Sequence, residues 1–118
     1  MTASRKIFVA GLAAVLLVSM AGTSFAKTYR VKARPNDTWK KVHTYIGKGD
    51  RVVWKNRDSE QHDLASYSGK WKISRQLPPG AKYKKKFRKK GTYGYRCVIH
   101  SGIVGGKCQG MCGFVHVL

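Results

Sequence analysis

Residues 91–100 read Gly91-Thr92-Tyr93-Gly94-Tyr95-Arg96-Cys97-Val98-Ile99-His100. Tyr93, Tyr95 and Cys97 fall on one parity, so a strand through this stretch turns two aromatic rings and a thiol to the same face. The strand ends in Cys-x-x-His, a soft sulfur three residues ahead of an imidazole. Alone, such a pair says little about metal. Its weight comes from what the flanking sequence offers.

Upstream, the chain is a series of short strands between turns. Tyr29, Val31 and Ala33 alternate with Arg30, Lys32 and Arg34, and Val42, Thr44 and Ile46 alternate with His43 and Tyr45. Both runs predict half-buried strands. After the turn Gly47-Lys48-Gly49-Asp50 comes Arg51-Val52-Val53-Trp54-Lys55, rich in residues that favour a pleated surface. A polar loop, Asn56 to Ser59, then leads to His62, and Trp71 to Ile73 forms a further apolar patch. Pro78-Pro79-Gly80 is a firm turn, because proline presets one backbone angle and glycine accepts the other sign. Tyr83 to Arg88 predicts a strand in which Lys85 shares parity with Tyr83 and Phe87; an inward lysine marks a sheet edge. Gly113 to Leu118 predicts the closing strand. No helix of useful length is predicted beyond residue 26. Short strands at close spacing specify an all-β sandwich or barrel.

His62, Cys97 and His100 form a donor set of one thiolate and two imidazoles, which suits copper; two His and one Cys with a weak axial sulfur is the electron-transfer arrangement. Structural zinc sites usually carry more thiolates. The surrounding blocks resemble the plastocyanin/azurin-like cupredoxins along nearly the whole chain after residue 26. They are Gly49-Asp50-Arg51-Val52-Val53-Trp54-Lys55-Asn56-Arg57-Asp58 followed by His62, then Leu77-Pro78-Pro79-Gly80, the stretch Gly91 to His100, and Met111-Cys112-Gly113-Phe114-Val115-His116-Val117. The resemblance implies a Greek-key β-sandwich holding one copper ion, cycling between Cu(I) and Cu(II), on His62, Cys97 and His100.

The fourth position departs from that pattern. Relatives place a methionine two to four residues after the last histidine, where this chain has Ile103. Met111 precedes a glycine and an apolar strand, as the family's methionine does, so the resemblance makes Met111 the axial ligand and residues 101–110 an enlarged ligand loop. The rival is an empty axial position filled by Ile103. Three cysteines leave one thiol over after pairing. With Cys97 as ligand, Cys108 and Cys112 pair across Met111; in the rival arrangement one of these two binds metal and Cys97 pairs. His43 and His116 are expected to be structural or exposed.

The chain has 118 residues, which limits it to one domain. Arg5 and Lys6, an apolar run from Ile7 to Met20, and Ser24-Phe25-Ala26 have the form of a secretory signal cut after Ala26. The domain is then expected at 27–118, exported to the periplasm or cell exterior, with no further span long enough for a bilayer. The chain carries 24 Lys and Arg against 5 Asp and Glu; without Arg5 and Lys6 the balance is 22 against 5, or +17. Such a field draws anionic partners. In relatives electrons cross at the edge around the second histidine, here the uncharged Ile103 and Val104, and Lys84, Lys86 and Lys89 are read as steering an acidic redox partner. Only five acids exist, and there is no Ser-His-Asp set, phosphate-cradling glycine loop or close carboxylate pair, so an enzyme is not expected. The leading reading is a monomeric electron carrier. Rivals are a copper-handling protein and a basic anion- or nucleic-acid-binding module, nucleic acid being disfavoured because the aromatics fall on core parity.

Overall fold

The computed structural model describes residues 25–118; the signal expected over residues 1–26 lies, but for Phe25 and Ala26, outside the described residues. Nine strands follow in order: β1 (Thr28–Arg34), β2 (Thr38–Lys40), β3 (His43–Ile46), β4 (Arg51–Asn56), β5 (His62–Ser68), β6 (Ser74–Leu77), β7 (Lys82–Lys86), β8 (Gly91–Val104) and β9 (Lys107–Val117). Among the described residues there is no helix, and therefore none long and apolar enough to cross a membrane. The strands form a four-stranded sheet, β2-β1-β4-β7, and a five-stranded sheet, β3-β9-β8-β5-β6. β1 and β3 pair in parallel with β4 and β9 respectively, and the other neighbours pair antiparallel, so both sheets are mixed.

Alternation decides which face each strand buries. In β1, Val31 and Ala33 are buried while Arg30 and Arg34 are exposed; in β4, Val52 and Trp54 are buried between partly covered Arg51, Val53 and Lys55. The inward residues of the two sheets meet around Trp54, whose ring lies edge-on to Tyr95 at 5.3 Å, while Tyr95 in turn meets Trp39 at 5.4 Å. Full burial of each aliphatic side chain such as Val31 or Leu64 contributes about 1.5–3 kcal/mol. β7 is an edge strand, and Lys85 covers the sandwich rim with its ammonium 5.7 Å from the centre of the Phe87 ring.

Three strands depart from the sequence reading. β2 and β6 are short edge strands with little apolar content, and β6 begins at Ser74, just after the apolar patch of residues 71–73. β5 reads His-Asp-Leu-Ala-Ser-Tyr-Ser, whose apolar alternation fades after Leu64. Residues 101–110 are not an open loop. β8 runs on to Val104, turns through Gly105 and Gly106 at φ of 57° and 77°, and pairs back as Ser101↔Gly110 to Val104↔Lys107. Two successive positive φ angles make the tight turn that matches strand twist, and glycine takes both without steric cost.

The turn between β3 and β4 is fastened by Asp50, whose carboxylate accepts hydrogen bonds from the backbone N–H groups of Lys27 and Gly47, both at 2.9 Å. These bonds hold the Asp50 carboxyl below its ordinary value, Lys27 contributing most. A depressed folded value stabilises the fold above the unfolded pKa near 3.9, and that stability is lost as pH falls through the folded value. Asp50→Asn should therefore lower the thermal midpoint at pH 6 and flatten its fall between pH 4 and 2. Parallel melting curves for both proteins across that range would contradict this account.

Candidate metal centre

The site begins with an asparagine. Asn56, at the end of β4, is buried and donates from Nδ2 to the carbonyls of Glu60 at 2.7 Å and Leu77 at 2.8 Å, while its Oδ1 accepts from the Asp58 N–H at 2.8 Å. Three bonds from one amide fold residues 57–61 into a fixed loop. That loop delivers His62 to the first position of β5, fully buried. Cys97 comes from β8, also fully buried, and is the free cysteine of the described residues.

β8 breaks register at the site. Arg96 faces Cys112 and Ser101 faces Gly110, so residues 97–100 oppose Met111 alone. This four-against-one bulge turns His100 back beside Cys97. The Cys97 Sγ lies 3.7 Å from His62 Nδ1 and 3.5 Å from His100 Nδ1, with the two rings 4.9 Å apart and inclined at 61°. Sulfur and nitrogen ligands about 2.3 and 2.0 Å from one ion at trigonal angles stand ~3.7 Å apart. The described donors therefore fit a His2Cys metal ion. Burial pushes the Cys97 thiol up, partly offset by the Asp63 N–H, which reaches Sγ at 3.4 Å; a coordinated cation would favour the thiolate instead. The Asp63 carboxylate also accepts from the Val98 N–H at 2.6 Å, fixing the bulge to β5.

Each imidazole has a carboxylate behind it. His62 Nε2 lies 2.9 Å from Asp58 Oδ2, and His100 Nε2 lies 3.4 Å from Asp37 Oδ1. At His62, with Nδ1 turned to the sulfur, Nε2 carries the proton and donates it to Asp58, which sets the tautomer that leaves Nδ1 free to ligate, while Asp37 stands beside His100 as a nearby charge. The His62 bond holds the Asp58 carboxyl below its ordinary value, assisted by the Ser59 and Glu60 backbone. Asp37 comes from the turn between β1 and β2, where Asn36 and Asp37 take φ of 79° and 55°, a region that Asn and Asp tolerate better than most residues. Sequence reasoning missed Asp37 and Asp58. Asp58 carried a signal, being one of three acids within residues 58–63 of a chain that has five, whereas Asp37 is distant in sequence from both histidines.

The other sequence-selected residues fall as follows. Met111 is buried on β9 opposite the bulge, its carbonyl accepting from the Trp39 indole at 3.2 Å. Cys108 and Cys112 form a disulfide on β9; their Cα atoms are 6.1 Å apart, where a straight strand would span ~13 Å, so the strand is bent beside Met111. Ile103 and Val104 are exposed on the hairpin, and Val98 and Ile99, which the sequence reading did not include, extend the same apolar edge. Lys84 and Lys86 lie on β7, with Lys86 beside Arg51 at the start of β4, and Lys89 stands in the turn before β8, at the end of that strand opposite the bulge. His43 and His116 lie apart from the cluster, bonded to each other at 2.9 Å.

No protein-family model and no curated protein matches the sequence. Solved structures do. A purple cupredoxin from Nitrosopumilus maritimus superposes with a TM-score of 0.62 at 20% identity, covering 76% of this chain and 99% of that one. A variant of amicyanin in its Cu(I) form gives 0.62 at 21%, covering 77% and 82%. A copper-containing nitrite reductase from Thermus scotoductus gives 0.63 at 22%, covering 77% of this chain but 22% of that one. The fold is that of the cupredoxins.

Removing the charge behind His62 tests how the imidazole is held. Asp58→Asn should weaken retention of a bound metal by about 10-fold or more, read by competition with a chelator of known affinity. An unchanged affinity would mean that the backbone alone orients His62.

Proposed function

We propose that this protein is an exported carrier of single electrons, using one copper ion held by His62, Cys97 and His100 with Met111 as the axial ligand. The observation that carries the reading is the convergence of the Cys97 sulfur and two imidazole Nδ1 atoms within 4.8 Å of one another, inside a cupredoxin fold. Copper would supply the one-electron exchange between Cu(II) and Cu(I). The chain's part is to keep the donors from moving: His62 is held by Asp58, Cys97 by the Asp63 N–H, and the bulge by Asp63 and Ser101, whose hydroxyl donates to the Cys97 carbonyl at 2.6 Å. A donor set that does not rearrange keeps the reorganisation on transfer small.

His62 and Cys97 have no exposed surface, and the His100 side chain retains about a fifth of its own. That geometry admits an electron at one edge and leaves no room for a substrate to reach the donors, which favours a carrier over an enzyme. Val98, Ile99, Ile103 and Val104 surround the open edge with apolar surface for brief contact with a redox protein. The net charge favours an acidic partner at long range. Export follows from the signal form of residues 1–26. Cleavage after Ala26 would make the Lys27 nitrogen an ammonium 2.9 Å from Asp50, converting a hydrogen bond into an ion pair.

Met111 is favoured over Ile103 because it is buried and lies opposite Cys97 on the adjoining strand, whereas Ile103 is nearly half exposed at 45%.

Cys97→Ser should abolish the intense visible absorption of the Cu(II) protein, since serine offers no soft sulfur, and His62→Ala should release copper more readily than His43→Ala or His116→Ala. A strongly coloured Cys97→Ser protein would overturn the site. Met111→Leu should raise the reduction potential, because Cu(II) loses more than Cu(I) when a weak donor goes, while the fold tolerates the similar volume. If the potential stays put on Met111→Leu but drops on Ile103→Met, the axial position belongs to residue 103.

A further inference from the structure

The outer face of the four-stranded sheet is built of aligned cations. Lys40 on β2, Lys32 on β1, Lys55 on β4 and Lys82 on β7 are register partners, so one row of lysines crosses all four strands. The next row is Arg30, Val53 and Lys84, and the one beyond is Thr28, Arg51 and Lys86. A groove of about 420 Å³ runs along this face, lined mainly by the first two rows and also by Thr28 and Arg57. Like charges directly opposite on neighbouring strands destabilise a sheet, and no acid stands in these rows to offset them. Of the five acids, Asp37, Asp58, Glu60 and Asp63 gather at the histidine–cysteine site, and Asp50 is engaged by the turn before β4. The fold bears a standing repulsion on one face, which salt screens and a bound polyanion would neutralise.

The geometry points to an anionic phospholipid bilayer as the occupant of this face. With strands ~4.8 Å apart, the sheet offers a broad, gently twisted plate of cations, creased by that groove. The three rows carry no aromatic ring on which nucleic-acid bases could stack. Each Lys or Arg brought to an anionic leaflet adds to binding, and the effect fades within a Debye length. Seated on this face, the protein keeps the bulge, which lies in the other sheet, free at the end of the sandwich. The choice of a bilayer over other polyanions rests on the export reading; the cationic face itself rests on no metal.

Flotation of the full protein with vesicles of phosphatidylcholine, with and without phosphatidylglycerol, tests this. The protein should float with the anionic vesicles alone and be released by salt. The triple variant Lys32→Gln, Lys55→Gln, Lys82→Gln should lower the partition coefficient by about 100-fold, while Lys48→Gln, Lys70→Gln, Lys90→Gln, which removes the same charge elsewhere, should lower it several-fold at most. Equal losses from the two triples would overturn the face and leave net charge alone. Equal flotation with neutral vesicles would overturn the electrostatic basis. Release from anionic vesicles by duplex DNA at matched phosphate would make nucleic acid the occupant. Circular dichroism confirms the fold of each variant, and flotation of metal-free and copper-loaded protein keeps this outcome separate from that of the copper site.

Discussion

One break in a β-ladder organises the functional end of the molecule. Where β8 and β9 lose register, residues 97–100 stand against Met111 alone. A continuous ladder would send successive side chains to opposite faces and put His100 out of reach of Cys97. The bulge bends the strand, so the Cys97 sulfur and the His100 Nδ1 come to 3.5 Å. Such a feature persists only if its loose backbone is tied down. The Asp63 carboxylate takes the Val98 N–H, the Ser101 hydroxyl meets the Cys97 carbonyl, and Arg96 reaches Ser101 from the other side. Beyond the bulge, a hairpin resumes the pairing and a disulfide bends β9 to meet it.

The second organising feature is the segregation of charge. Four of the five acids lie at the site end, where Asp58 accepts from the outer nitrogen of His62 and Asp37 stands 3.4 Å from that of His100. A buried imidazole without a partner would be costly, and a carboxylate in that position both satisfies the N–H and fixes the tautomer. Many of the cations line the outer face of the other sheet and the turns at the far end, while Arg96 is tied to Ser101 at the bulge. A chain of this net charge thus presents an edge that is apolar with acids just beneath it, and a broad face that is almost wholly basic.

Much of the fold was legible because period-two alternation is strict wherever one face is buried. Val31 and Ala33, Val52 and Trp54, and Tyr93, Tyr95 and Cys97 all face inward as their parity requires. β2 and β6 were not legible, since short edge strands owe their conformation to a neighbour rather than to their own composition. The hairpin through Gly105 and Gly106 reads from sequence as part of an enlarged loop, because Ser101 to Val104 has no alternation of its own and pairs only through β9.

The sequence by itself determined the strand parities, the edge position of β7 through Lys85, and the donor types available at residues 62, 97 and 100, because these follow from side-chain chemistry and local spacing. Tertiary structure alone decided which carboxylate stands behind which imidazole, that Val98 and Ile99 share an edge with Ile103 and Val104, and that lysines from four separate strands form a single row. Each of these depends on register between segments far apart in the chain. Register is a property of paired strands, set by how two sheets close over a shared core, and no single segment carries it.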